Sequence, residues 1–189
     1  MRTIKTLKDI TIKELIDVTM LPSLSTVDDF AEAARMLYGD EVEELPITDW
    51  LEAVNDVMGV IGKAPTVKKI DRFKFEGVEY RAKSVDELTA KEFIDFETLS
   101  KEKPIDHITT LLAIAFTDGK EEGDYVERIT ERATRFENLD AQTAQEALNF
   151  TFTVWETFAK RMLDSSPQAV RDTKEFKEML KVLKDGAGS

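Results

Sequence analysis

The composition predicts an acidic, folded protein. The chain has 189 residues, 42% of them hydrophobic, and 38 acidic against 26 basic residues give a net charge of -12 at pH 7. A surface of this sign repels phosphate, which argues against direct binding of nucleic acid. Cys is absent, so disulfides and thiolate metal sites are excluded. No segment reaches the roughly 18 apolar residues of a membrane span, so no membrane contact is expected.

Three helices are predicted in the first helical unit, residues 1–64. The first begins at a capping box formed by Thr11 and Glu14, in which each residue satisfies a backbone amide of the other. The second ends at Gly39, and the third begins at Thr48.

A β-hairpin linker is predicted for residues 65–83. Phe73 and Phe75 alternate with charged residues before Glu76-Gly77, which can form a tight turn. A two-stranded hairpin is marginal alone in water, so we expect it to pack against helices or to join another sheet edge.

A second helical unit is predicted for residues 84–164, and a C-terminal amphipathic helix with a frayed tail for residues 165–189. The predicted helix starts in the second unit are Thr89, Asp106, Asp124 and Asp140. The predicted fold is therefore mainly α: a compact helical protein of two related helical units with a central β-hairpin.

The relation between the units is an internal repeat. Residues 7–21 align without a gap on residues 85–99, 78 positions later. The identities are Thr11, Lys13, Glu14, Ile16, Asp17 and Leu21 with Thr89, Lys91, Glu92, Ile94, Asp95 and Leu99. The third helix matches residues 146–149 only if the polar helix near 124–136 is an insertion. The alternative is that capping boxes followed by apolar residues resemble one another anywhere, but the uninterrupted register favours duplication.

No catalytic, cofactor-binding or metal-binding residue is predicted. His107 is the sole histidine and has no accompanying nucleophile motif, which indicates an exposed or capping role. The acidic loop 118–124 lacks the ligand spacing of an EF-hand and is expected to be solvated. The scattered glycines form no phosphate-binding loop. These absences favour a non-enzymatic protein without cofactors.

Five apolar residues are the candidates for partner contacts. Tyr80 lies on a hairpin expected to be exposed, and Phe150 is offset from the main apolar stripe of the long helix. Phe176, Leu180 and Leu183 form a stripe in the C-terminal amphipathic segment. That segment could dock on a partner or close its own domain.

The region from Phe73 to about Phe158 has a recognisable order. The hairpin is followed by residues 88–96, Leu-Thr-Ala-Lys-Glu-Phe-Ile-Asp-Phe, then by the apolar residues 111–116 and a long aromatic helix. This order resembles small assembly or structural proteins of tailed bacteriophages, in particular tail assembly chaperones.

The resemblance implies a viral protein that acts in virion assembly by protein–protein interaction. Its expected partners are other phage or assembly proteins, among them a long helical tape-measure-like protein, and an oligomer is compatible with this role. The expected location is the host cytoplasm during assembly, or the virion. The alternatives are a structural or packaged virion component, such as a neck, ring, tail or cargo protein, and a small hydrolase of unfamiliar fold. The hydrolase would require a pocket that holds His107 and several carboxylates.

Overall fold

The computed structural model describes residues 3–21, 24–61 and 68–165. Helices dominate these residues, which confirms the mainly α fold. The helices are α1 (Ile12–Thr19), α2 (Val27–Tyr38), α3 (Ile47–Ile61), α4 (Ala90–Lys101), α5 (Ile108–Ala115), α6 (Tyr125–Phe136) and α7 (Ala141–Ser165), and the strands are β1 (Arg72–Phe75), β2 (Val78–Ala82) and β3 (Phe116–Thr117). None of the helices in these ranges is both long enough and apolar enough for a membrane crossing.

Side-chain caps fix the starts of several helices. Thr11 Oγ1 accepts from the Glu14 amide at 3.2 Å, and Glu14 Oε2 accepts from the Thr11 amide at 2.8 Å. Thr89 and Glu92 form the same capping box at the start of α4. Asp124 accepts from two amides at the start of α6. The predicted helix starts at Thr11, Thr89 and Asp124 are therefore confirmed. They could be predicted from the sequence because each cap involves only residues within one turn.

The start predicted at Asp106 is wrong. A short 3-10 turn, Pro104–His107, precedes α5, and no side-chain cap bond is made at its first residue. Pro104 opens this turn because its fixed φ suits a first helical position and its missing N–H leaves no donor unsatisfied there.

The predicted hairpin is confirmed, and it gains a third strand. β1 and β2 pair antiparallel with Phe73 opposite Tyr80. Glu76 and Gly77 both have positive φ, 49° and 79°, as a two-residue type I′ turn requires. β3 then pairs antiparallel with β2 through two residues. The hairpin thus both joins another strand and packs against helices.

Two hydrophobic clusters form the interior. One lies among α1, α2 and α3 and includes Phe30, Ala34, Val54 and Val57. The other lies among the sheet, α4, α5, α6 and α7, and its largest fully buried members are Tyr80, Phe96, Phe116 and Phe136.

The two clusters meet at the turn between α6 and α7. The Ile12 amide donates to the Leu139 carbonyl at 2.8 Å, and the Ala141 amide donates to the Ile10 carbonyl at 2.9 Å. Ile12 belongs to the second cluster and Ala141 to the first. The N-terminal helices are therefore joined to α7 by backbone hydrogen bonds as well as by apolar packing.

Candidate protein-binding groove and its buried ion network

An open groove of about 290 Å³ lies among α4, α5 and α6. Leu99, Ile114 and Ile129 supply apolar side chains from the three helices. Val126 lines the groove and is 56% exposed. Threonines complete much of the remaining lining, at positions 98, 110 and 130. The groove can therefore accept apolar groups from another molecule with few polar groups to desolvate.

A tyrosine–aspartate pair bridges two of the groove helices. The Tyr125 hydroxyl donates to Asp95 Oδ2 at 2.9 Å. Burial, followed by this contact with Asp95, raises the pKa of Tyr125 above its usual value. The phenol therefore stays protonated and keeps donating at physiological pH. The hydrogen bond holds the start of α6 against the middle of α4.

Next to the groove, buried charges connect the sheet to α4. Lys83 follows β2, and its Nζ lies 2.7 Å from Glu92 Oε1 and 3.1 Å from Glu121 Oε2. The side chains of Lys83 and Glu92 are only 3% and 1% exposed. Glu92 also forms the capping box of α4, so one carboxylate fixes both the helix start and the lysine.

Arg132 of α6 caps the C-terminal end of α5. Its Nη1 donates to the carbonyls of Ala113 and Phe116 at 2.9 and 2.7 Å. The last carbonyls of a helix have no partner within it, and a guanidinium can satisfy them while favouring the helix dipole. Its Nη2 lies 3.2 Å from Glu121 Oε1 and 3.6 Å from Asp118 Oδ1.

The network lowers the pKa of Glu92 and of Glu121. At Glu92, burial alone would raise the pKa, but hydrogen bonds from Lys83 and Thr89 outweigh it and the pKa falls. At Glu121, burial is again outweighed, here by Thr117, Lys83 and Arg132. Both carboxylates therefore stay ionised at neutral pH, where they stabilise the buried cations.

Residues 119–124 are exposed, as expected for a solvated acidic loop, but Asp118 and Glu121 also pair with the cations of this network. Glu121 is paired with Lys83, Arg128 and Arg132, and Asp118 lies beside Arg132. The sequence could not show these pairs because the cationic partners come from Lys83, just after β2, and from α6.

A polar cleft of about 270 Å³ is lined in part by residues of the same network. Tyr80, Asp118, Arg132 and Arg135 are among the residues that line it. The guanidinium carbon of Arg135 is 5.9 Å from the centre of the Tyr80 ring. The Tyr80 hydroxyl is buried, and no residue in the described ranges forms a hydrogen bond with it.

The predicted partner-contact residues have different positions. Tyr80 is completely buried, and its ring packs against Phe73 and Phe136, so the expected exposure of this side chain is wrong. The physical reason is that β2 is the central strand and places Tyr80 under α6. Phe150 is half-buried and lines a small cavity with Lys83. Phe176, Leu180 and Leu183 lie outside the described residues.

His107 is half-buried beside a carboxylate. Its Nε2 lies 2.7 Å from Glu102 Oε2, and it occupies the residue before α5 without capping that helix through its side chain. Within the described ranges no group of three or more His, Asp or Glu side chains is arranged to hold a metal ion.

Sequence reasoning missed the groove and Arg132 because α6 was interpreted as a polar helix. The available signal was the spacing of Val126, Ile129, Ala133 and Phe136, which follows one helix face. Comparisons of the chain with protein-family models, curated proteins and solved structures found no significant match.

Proposed function

We propose that this chain is a non-enzymatic protein-binding protein that holds an amphipathic helix of a partner in the groove among α4, α5 and α6. The observation that carries the proposal is the apolar lining of this open groove, with Val126 more than half exposed at its edge. Exposed apolar side chains beside a concave apolar surface are typical of protein-interaction sites.

A helix is the form of partner that suits this groove. The walls are themselves helices, and an added helix can pack its side-chain ridges between them. Ile94, which is 61% exposed, lies one turn before Thr98 on α4. The Thr98 hydroxyl donates to the Ile94 carbonyl at 2.8 Å. The apolar surface therefore extends along α4 beyond the groove and matches the repeating apolar side chains of an amphipathic helix.

Within this class we propose a role in tailed-phage assembly, similar to that of a tail assembly chaperone. The support is the order of elements in residues 73–158, together with an acidic surface that keeps a holding protein soluble. The partner would be a long helical tape-measure-like protein, held in the host cytoplasm until assembly. The alternative is a structural or packaged virion component. Mass spectrometry of purified particles separates the two, because a chaperone is absent from particles and a component is present at fixed copy number.

We also propose that α1–α3 and α4–α6 are related units. In support, α3 begins at Ile47 and α6 begins 78 residues later at Tyr125, the same offset that aligns the capping boxes. The packing order supports it too, because α2 contacts α1 and α3 as α5 contacts α4 and α6. In this alignment α6 is the counterpart of α3, and no insertion is required.

Substitution of Val126 by Asp tests the groove. The probe is a labelled helical peptide of about 20 residues with a leucine face and an uncharged polar face. Covering the exposed part of Val126 is worth about 1.5 kcal/mol, so the variant should bind about tenfold more weakly. The matched control is Val27→Asp, since Val27 is 58% exposed in the first turn of α2. Asp is favourable in a first helical turn, so both variants should fold.

Fluorescence anisotropy gives the affinity, and methyl NMR gives the location. The methyl groups of Ile114 and Ile129 should shift on addition of the peptide to the unsubstituted chain. Equal affinities for the two variants, or peptide-induced shifts confined to other regions, would contradict the proposed groove.

A further inference from the structure

The rest of the protein covers only part of the apolar side of α3. Ile47, Leu51 and Met58 are spaced four and seven residues apart, which places them within about 40° of one another around the helix. They are 68%, 46% and 38% exposed, although the adjoining side of α3 is buried. We call these three residues the α3 stripe.

The stripe lies in the most acidic part of the chain. Residues 27–61, from α2 through α3, contain ten carboxylates and a single basic residue, Arg35. Arg35 is itself paired with Glu32 and Asp40. Lys5 from the N-terminal segment pairs with Asp56 and lies 3.7 Å from Glu52. An apolar surface within such a field favours a partner that combines apolar and basic side chains, because opposite charges attract and like charges are repelled.

Two of the three stripe residues have counterparts that are covered in the unit proposed as related, whereas the counterpart of Ile47 is the half-buried Tyr125. Positions 78 residues after Leu51 and Met58 are Ile129 and Phe136, which are 6% and 0% exposed. Phe136 is covered by the aromatic rings of the hairpin, at Phe73, Phe75 and Tyr80. The same side of α3 has kept apolar residues without that cover.

We infer that the α3 stripe is a second docking surface and that its occupant is a basic amphipathic helix of a partner protein. The leucine-type face of such a helix would cover Ile47, Leu51 and Met58, and its lysines would be attracted by the net negative charge of residues 27–61. The inference shares the partner class of the proposed function but uses a different surface. Its test therefore uses different residues.

The test compares three helical peptides with the same leucine face and with lysine, glutamine or glutamate on the polar face. Each is titrated into the full chain, its Leu51→Asp variant and the Val27→Asp control. The control adds the same charge on α2, outside the α3 stripe. Met58 methyl NMR locates the bound peptide, and circular dichroism checks that the variants fold.

The lysine peptide should bind the unsubstituted chain at least about tenfold more tightly than the glutamate peptide at low salt, and added salt should reduce the difference. Leu51→Asp should weaken the lysine peptide at least about tenfold even though it adds negative charge, because apolar cover is lost. The control should bind as the unsubstituted chain does.

Unchanged affinity in Leu51→Asp, or no Met58 shift, would overturn the inference. So would occupation of the stripe by a second copy of the chain, seen as a dimer in sedimentation that Leu51→Asp dissolves. A further overturning result would be tight binding only after residues 166–189 are removed, since the occupant would then be the chain's own C-terminal segment. Binding to the groove is measured separately with Val126→Asp. One docking surface can therefore be refuted without refuting the other.

Discussion

Replacement of Lys83 by Met should strongly destabilise the protein, although the new side chain is apolar and similar in length. The change leaves Glu92, 1% exposed, without its 2.7 Å partner, and the next cation, Arg128, is 3.6 Å away. Removing one partner of a buried ion pair lowers the free energy of unfolding by about 3–5 kcal/mol. Solvent does not screen this pair because both side chains are buried. Glu92 keeps its capping bonds to Thr89, so we expect the lower end, about 3 kcal/mol.

A double-mutant cycle separates the ion pair from loss of packing. Glu92→Gln retains an oxygen for the capping box while removing the charge. The double variant should then cost less than the sum of the two single variants by at least about 1.5 kcal/mol, because neither charge is left unpaired. Glu121 keeps Arg128 and Arg132 in every variant of the cycle.

The assay is urea and thermal unfolding followed by circular dichroism at pH 7. A cost of about 3 kcal/mol corresponds to a fall in Tm of about 6–12 °C for a chain of this length. Additive single-variant costs, or a Lys83→Met change within about 0.5 kcal/mol of zero, would show that the pair is solvated and would refute the reasoning.

Two further predictions concern the network and the hairpin. Acid should destabilise the protein: Glu92, Glu121 and Glu87 have lowered folded-state pKa values, that of Glu87 about 2 through its bond to Arg81. Their stabilisation is complete above the unfolded value of about 4.3 and is lost as pH falls through the folded values, so unfolding free energy should decline below about pH 4.3. A pH titration of the urea midpoint that stays flat down to pH 3 would contradict this. Gly77→Ala should cost about 1 kcal/mol because φ is positive there, whereas Gly59→Ala, inside α3 with open space at its Cβ, should not destabilise; equal Tm values for the two variants would argue against the I′ turn.

Local signals in the sequence determined most element starts and the hairpin. The capping boxes at Thr11 and Thr89 and the Glu76-Gly77 turn are each formed by residues within one turn, so their geometry follows from the chain itself. Asp106 failed as a start because Pro104, two residues earlier, imposed a different turn.

The tertiary structure alone decided which residues are exposed and which charges are paired. Tyr80 fits a solvent-facing hairpin until β3 adds a strand and α6 covers the ring. Arg132 fits a polar helix surface until the end of α5 supplies two carbonyls. Both outcomes depend on contacts between distant segments, and sequence periodicity describes one face of one element without specifying what covers it. For the same reason the sequence could not predict the groove beside Val126, because residues of three separate helices, α4, α5 and α6, line it.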